Sequence, residues 1–234
     1  MSQHDPAVVR TEYEDESRLA ARKAAYAGAE GPDAREVLFE AIAEARPRRI
    51  LEVGCGEGDL AERLQLELVA EVIAVDQSSR MVELTQSRGV DAQVGNVEQL
   101  EFDDESFDCV VAAWMLYHVR DLDRALAEVA RVLAPTGRLV AVTNGRDHLK
   151  ELYGLIGRRR MISSFPAEDA EAILRRHFSK VERRDAHGWL AFPDANAAQA
   201  YVGSIVLLEG ARVPAVDGEI RVQRLPTIFV AELA

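Results

Sequence analysis

Ile50-Leu51-Glu52-Val53-Gly54-Cys55-Gly56-Glu57-Gly58-Asp59-Leu60 decides how this chain is read. An aliphatic run stops in three glycines at alternating positions, and an amphipathic helical pattern follows. A strand that ends in a glycine turn ahead of a helix is a ligand cradle. Glycine tolerates positive φ and lets a ligand approach the backbone, and the helix turns its unpaired N–H groups to the same spot.

Outward from that turn, strands and helices alternate. A helix spans Ala34 to Arg46, with Val37, Leu38 and Ile42 on one face, and Pro47 ends it. A strand runs from Arg49 to Gly54, a helix from Asp59 to Leu68, and a short strand over Val72 to Val75 that stops at Asp76. Ser78 caps a helix to Ser87, and a weak strand covers Asp91 to Val94. Phe107-Asp108 opens the strand Cys109 to Ala113; Asp121 to Leu133 is an amphipathic helix; Pro135-Thr136-Gly137 turns into a strand from Arg138 to Thr143. The strands are continuously apolar, which predicts a parallel sheet covered on both faces. Right-handed crossovers then make it doubly wound.

The second half carries weaker signals. Helices are expected over Asp147 to Ile156, Ala167 to His177 and Asp194 to Leu208, and strands over Val181 to Ala186, Trp189 to Phe192 and Leu225 to Leu233. Ser17 to Ala27 reads as an alanine-rich helix, ended by the break from Gly28 to Asp33. No repeat or linker divides the 234 residues, so one domain is expected. Its parts are N-terminal helices and lid (1–46), a binding core (47–143) and a C-terminal sheet half with acceptor-pocket insertions (144–234).

A formal net charge of −12 counts against a nucleic-acid partner, which needs a basic face. The arginine clusters at 158–160, 175–176 and 183–184 read as solvated surfaces. No apolar run reaches the ~20 residues needed to cross a bilayer, and the N-terminus lacks a basic-then-apolar signal pattern. The two cysteines, Cys55 and Cys109, have no CxxC neighbour. A cytoplasmic, metal-independent protein is expected.

Glycine spacing bears on the ligand. A dinucleotide turn reads G-x-G-x-x-G. Here Gly54-x-Gly56-x-Gly58 brings the third glycine one residue early, and Asp59 stands where it would be. A negative charge at a helix N-terminus opposes a pyrophosphate. No G-K-[ST] follows, which excludes a P-loop. Asp76, about twenty residues on at the end of the second strand, sits where a carboxylate accepts both hydroxyls of an unphosphorylated ribose. A nucleoside without phosphates and with a zwitterionic tail describes S-adenosylmethionine.

The same residues, in this order, resemble the class I S-adenosylmethionine-dependent methyltransferases over roughly residues 47 to 143. Leu51 to Gly58 resembles the motif that meets the methionine part. Ala74-Val75-Asp76-Gln77-Ser78 resembles the ribose motif, and Gly95-Asn96-Val97-Glu98-Gln99-Leu100 the adenine loop. Phe107 to Val111 with Trp114 to Val119 resembles the fourth strand and the active-site loop, and Arg131 to Leu139 the segment that closes the core. Two residues depart from the pattern: Asn96 replaces a usual aspartate at the adenine amino group, and Thr136 a usual glycine. The resemblance implies an α/β, mostly parallel, seven-stranded Rossmann-like sheet with helices on both faces and a small helical lid.

It also implies S-adenosylmethionine contacts at Glu52, Gly54, Cys55, Gly56, Gly58, Asp76, Gln77, Met81, Asn96, Val97 and Ala113. The branch it points to is the small-molecule one, including quinone-biosynthesis and natural-product methyltransferases. The implied reaction is in-line methyl transfer to a small, partly apolar acceptor. Several residues keep two readings. Glu52 either caps local N–H groups or lies near the cofactor's amino group. Met81 is either core or packs on adenine. His118 either deprotonates or orients the acceptor, or is held by a neighbouring backbone group; Trp114 and Tyr117 either line the pocket or pack. Tyr13 and Arg22 fall in a segment that covers the cofactor in similar proteins. Acceptor-pocket aromatics are expected at Tyr26, Tyr153, Phe165, Trp189, Phe192 and Tyr201. The rivals are a nicotinamide-dependent oxidoreductase and a non-catalytic binder of the same cofactor.

Overall fold

The computed structural model describes residues 25–26, 28–159 and 163–233. Tyr13, Arg22 and most of the expected helix from Ser17 to Ala27 lie outside them. Helices α1 (Ala34–Ala43), α2 (Asp59–Leu68), α3 (Ser79–Ser87) and α4 (Leu122–Val132) alternate with strands β1 (Arg49–Val53), β2 (Glu71–Asp76), β3 (Asp91–Val94), β4 (Phe107–Ala113) and β5 (Leu133–Asn144). Then follow α5 (Lys150–Leu155), α6 (Ala167–Leu174), β6 (Lys180–Asp185), β7 (Gly188–Phe192), α7 (Ala195–Gly203), β8 (Ile220–Arg224) and β9 (Pro226–Glu232).

Seven strands form one sheet in the order β3-β2-β1-β4-β5-β9-β6, parallel except for β9, which runs antiparallel to both neighbours. Buried strands read as unbroken apolar runs because alternate residues serve opposite faces. Leu51, Val53, Ile73, Val110 and Leu139 pack with α4 and α6 residues such as Leu126 and Leu174. Ile50, Val72, Ala74, Cys109 and Val111 pack on the other face with Leu38, Ile42 and Leu64. Helix starts follow their caps: Asp33, Ser78, Asp121 and Asp194 each accept a backbone N–H of the first turn. The expected Pro135-Thr136-Gly137 turn lies within β5, where pairing with β4 jumps from Leu133↔Phe107 to Arg138↔Cys109.

A second, two-stranded sheet joins β7 to β8. With α5 and α7 it encloses its own apolar cluster, including Leu152, Leu190, Phe192, Tyr201 and Val222. The buried Arg224 guanidinium donates to the carbonyls of Ala186, Glu30 and Pro32, which ties the segment ahead of α1 to this ribbon. Strand β8 has no counterpart among the expected elements.

Candidate functional site

The three glycines of the opening motif serve three different purposes. At Gly54 (φ +73°) a Cβ would lie 2.8 Å from the Met115 Cβ, so the turn after β1 passes tightly under the segment after β4. At Gly56 (φ +55°) nothing stands within 4 Å of such a Cβ, and the backbone faces open space. At Gly58 (φ +79°) a Cβ would meet Thr85 of α3 at 2.7 Å. Gly54 and Gly56 belong to the cradle, whereas Gly58 lets α2 pack against α3.

The turn opens onto a cavity of about 740 Å³ at the carboxyl edge of β1, β2 and β4, where open parallel sheets bind ligands. Of the residues the sequence singles out, Glu52, Gly54, Cys55, Gly56, Asp76, Gln77, Asn96, Val97, Ala113 and His118 all line it. Gly58 and Met81 do not appear in its lining. Gly58 is turned toward Thr85, and Met81 is buried in the first turn of α3, so both serve packing.

Two carboxyl groups dominate the inner end. Asp76 Oδ2 accepts the Gly56 N–H at 3.0 Å, and Oδ1 accepts the Ser78 N–H at 2.9 Å. The Gln77 N–H also donates to this carboxylate, which keeps lone-pair capacity for a ligand hydroxyl. Burial raises the Asp76 pKa from its ordinary value, against the pull of those backbone hydrogen bonds. Glu52 sits mid-sheet, in register with Ala74 on one side and Val111 on the other. It is 2% exposed, and its Oε2 has no hydrogen-bond partner. The carboxyl accepts the Ala61 N–H in the first turn of α2, a helix whose N-cap, Gly58, has no side chain to offer. Glu52 thus caps a local N–H, one of its two readings, while Oε2 stays without a partner among the described residues. Burial first, then the nearby Asp76 charge, pushes its pKa up to about 8.

Other lining residues are quieter chemically. The Cys55 thiol, buried and 3.4 Å from Thr85 Oγ1, is pushed up to about 12 by burial, so it is no nucleophile at neutral pH. Asn96 Oδ1 accepts the Glu98 N–H at 2.9 Å, which fixes the amide and leaves that oxygen one lone pair for a ligand. His118 ends a short 3₁₀ turn, Leu116–His118, with its ring 4.5 Å from that of Tyr117. Tyr117 packs against the core, while Trp114 lines the cavity in a left-handed backbone conformation (φ +53°).

The sequence reading does not single out the mouth, where Asp33, Arg35 and Glu36 of the α1 start face Leu60 and Arg63 of α2. No motif marks these residues, because their role comes from helix placement alone. The expected acceptor-pocket aromatics lie elsewhere. Tyr26, Tyr153, Phe192 and Tyr201 build the ribbon's core, Phe165 is buried in the main core, and Trp189 is on the surface under Arg221.

This inner end is rich in acceptors and poor in cations. The Arg63 guanidinium is engaged by Glu36 and Glu67. An unused buried carboxyl oxygen, an aspartate with spare lone pairs and an open glycine backbone fit a ligand that carries an ammonium and hydroxyls. They do not fit a pyrophosphate. Among the described residues no group of three His, Cys, Asp or Glu is placed to hold a metal ion, and no helix is long and apolar enough to cross a membrane.

Comparison with known proteins places this geometry. Residues 51–141 match a family of proteins described as methyltransferase domain. An uncharacterized methyltransferase of Mycobacterium tuberculosis is 39% identical over 133 residues, covering 54% of this chain and 52% of the relative. The demethylmenaquinone methyltransferase of Thermotoga maritima is 36% identical over 125 residues, covering 52% and 55%. The chain thus spans about half the length of the curated relatives it matches. Among solved structures, Haemonchus contortus phosphoethanolamine N-methyltransferase 2 shares the fold with a TM-score of 0.66 at 17% identity, covering all of this chain and 61% of the other. The glycine turn, Asp76 and strand β4 therefore stand within the stretch, residues 51–141, that matches the methyltransferase-domain family.

Proposed function

We propose that this chain uses S-adenosylmethionine to methylate a small, partly apolar acceptor. The observation that carries this reading is the acceptor-rich inner end, Glu52 and Asp76 beside the open Gly56, within the methyltransferase match. Asp76 would hold the ribose hydroxyls, Glu52 the ammonium of the amino-acid tail, and Asn96 and Val97 the adenine. When bound, S-adenosylmethionine supplies a sulfonium methyl carbon that is already electrophilic, open to in-line attack. The chain's own task is then alignment and exclusion of water, and positioning alone contributes several kcal/mol.

Ala113, Trp114, Met115 and Val119 give the β4 side of the cavity an apolar surface next to His118. That combination suits an acceptor with an apolar body and one ionisable group. His118 takes or orients the acceptor proton in this reading. Its replacement by Asn should lower kcat about 100-fold or more while leaving cofactor affinity within a few-fold. Unchanged kcat across the pH range would remove the role.

The test of function is transfer of a labelled methyl group from S-adenosylmethionine to a panel of small molecules. Phenols, amines and, following the Thermotoga relative, demethylmenaquinone belong in it. Label in a product together with S-adenosylhomocysteine supports the reading. Cofactor binding with no turnover across the panel would favour a non-catalytic binder. Enhanced NADH fluorescence in place of S-adenosylmethionine binding would favour an oxidoreductase.

A further inference from the structure

We propose that Glu52 holds a proton while the cavity is empty and releases it to solvent as a cationic group seats against its unpartnered Oε2, so that ligand binding and proton release are one event. The inference rests on the donor reading above, and it concerns the protonation of the site rather than its occupant.

The geometry carries it. Glu52 lies on the central strand β1, with apolar Ala74 and Val111 beside it on the same sheet face. Its carboxyl accepts a backbone N–H, that of Ala61, and its Oε2 is buried without a hydrogen-bond partner among the described residues. A carboxylate with a bare oxygen in such a place lacks both hydration and a counter-charge, and takes a proton instead.

The charged groups that face Glu52 reinforce this. From β2 comes Asp76, and from the start of α2 comes Asp59; both disfavour a second negative charge. The turn between β1 and α2 adds Cys55, whose thiol is un-ionised, and Glu57, again acidic. Beyond β3 the cavity carries Glu98, again acidic. After β4 it carries His118 and Arg120, and at the α1–α2 mouth Asp33, Arg35, Glu36 and Arg63. No cation among these figures in the shift of Glu52, which is set by burial and by the two neighbouring acids.

An ammonium placed at Oε2 supplies the missing counter-charge and three donors. The carboxyl then ionises, and its proton passes to the buffer. Linkage gives the sign: affinity rises with pH by about tenfold per unit while the empty site is protonated, and levels off as the free carboxyl ionises near pH 8.

Isothermal titration of the full chain with S-adenosylmethionine, in buffers of differing ionisation enthalpy, reads the protons directly. Between about pH 6 and about pH 7.5, release approaching one proton per ligand is expected, with the tenfold slope in affinity. Glu52→Gln keeps an acceptor for the Ala61 N–H and should bind with no such release and a flat pH profile. His118→Asn should keep both release and slope. Binding by wild type without proton release overturns the proposal while leaving the donor reading intact. A slope that disappears in His118→Asn and persists in Glu52→Gln also overturns it, because the proton then belongs to the histidine. No binding at any pH by a chain that unfolds cooperatively removes the donor reading and the proposal together.

Discussion

The acids at the carboxyl edge of β1 and β2 and the acids on the outer helices live in opposite worlds. On the outside, Glu36 takes both hydrogen bonds of the Arg63 fork at 2.7 Å, and Glu44 takes those of Arg184 at 2.9 and 2.7 Å. Glu128 is held likewise by Arg131. Hydrogen bonds from these arginines lower the carboxyl pKa values. Inside, Glu52 and Asp76 share a buried site with only backbone donors, and both shift upward through burial, Glu52 further through the Asp76 charge. Outer acids are matched and solvated, so each pair adds little. The inner acids have no cationic partner, at a cost to stability, and in the proposed function the ligand supplies one. Strained or under-satisfied groups of this kind mark functional sites.

The contrast can be broken most strongly at the helix that covers it. Gly58→Ala places a Cβ 2.7 Å from Thr85 in a left-handed backbone. The expected loss is about 3 kcal/mol in urea unfolding, against about 1 kcal/mol for Gly56→Ala, which meets nothing. Equal losses at the two positions would contradict the division between a packing glycine and a cradle glycine.

Next in size is Asp76→Asn, which removes the charge from the acceptor meant for two hydroxyls. Titration with S-adenosylhomocysteine should show affinity reduced about 100-fold. A change under about threefold would place the ribose elsewhere.

Glu52→Gln sharpens the comparison in the opposite direction, toward stability. As pH rises past the ordinary glutamate value of 4.5, the unfolded chain ionises while folded Glu52 stays protonated, until about pH 8. Folded-state stability is therefore whole below about pH 4.5 and drains as pH climbs to about 8. The ligand-free variant escapes that loss. Its advantage over wild type should be near zero at pH 4.5 and on the order of 4 kcal/mol at pH 8, read by urea unfolding at both pH values. A variant less stable than wild type at pH 8 would mean that the carboxyl is matched after all.

The smallest effect belongs to the outer surface. Glu44→Gln weakens a solvated pair with Arg184 and should change stability by less than about 1 kcal/mol, falling further in 0.5 M salt. Cofactor affinity should not move.

These two regions were also unequally legible. Strands β1, β2 and β4 declare themselves because each is buried on both faces, whereas the exposed edge strand β3 reads weakly, and Asp33, Ser78 and Asp121 announce the helices by their caps. Asp76 follows from its place at the end of β2, and Glu52 from the resemblance of Leu51 to Gly58 to the motif that meets the methionine part. Strand β8 was not readable, because its Arg224 is buried with its charge spread over three backbone carbonyls brought in from residues 30, 32 and 186. No local pattern encodes that meeting. The same long-range packing gathers Tyr153, Phe192 and Tyr201 into the ribbon's apolar cluster, which no local pattern announces. Gly58 shares its spacing with Gly54 and Gly56, and only the approach of α3 shows that it serves packing.

In the proposed function the acids at the β1–β2 edge seat a nucleoside that carries an ammonium. Equilibrium titration of the intact chain with S-adenosylhomocysteine, run beside NADH, tests it most directly. Saturable one-site binding of S-adenosylhomocysteine, weakened by Asp76→Asn and absent for NADH, is the predicted result. Saturable NADH binding with no S-adenosylhomocysteine binding would contradict the account.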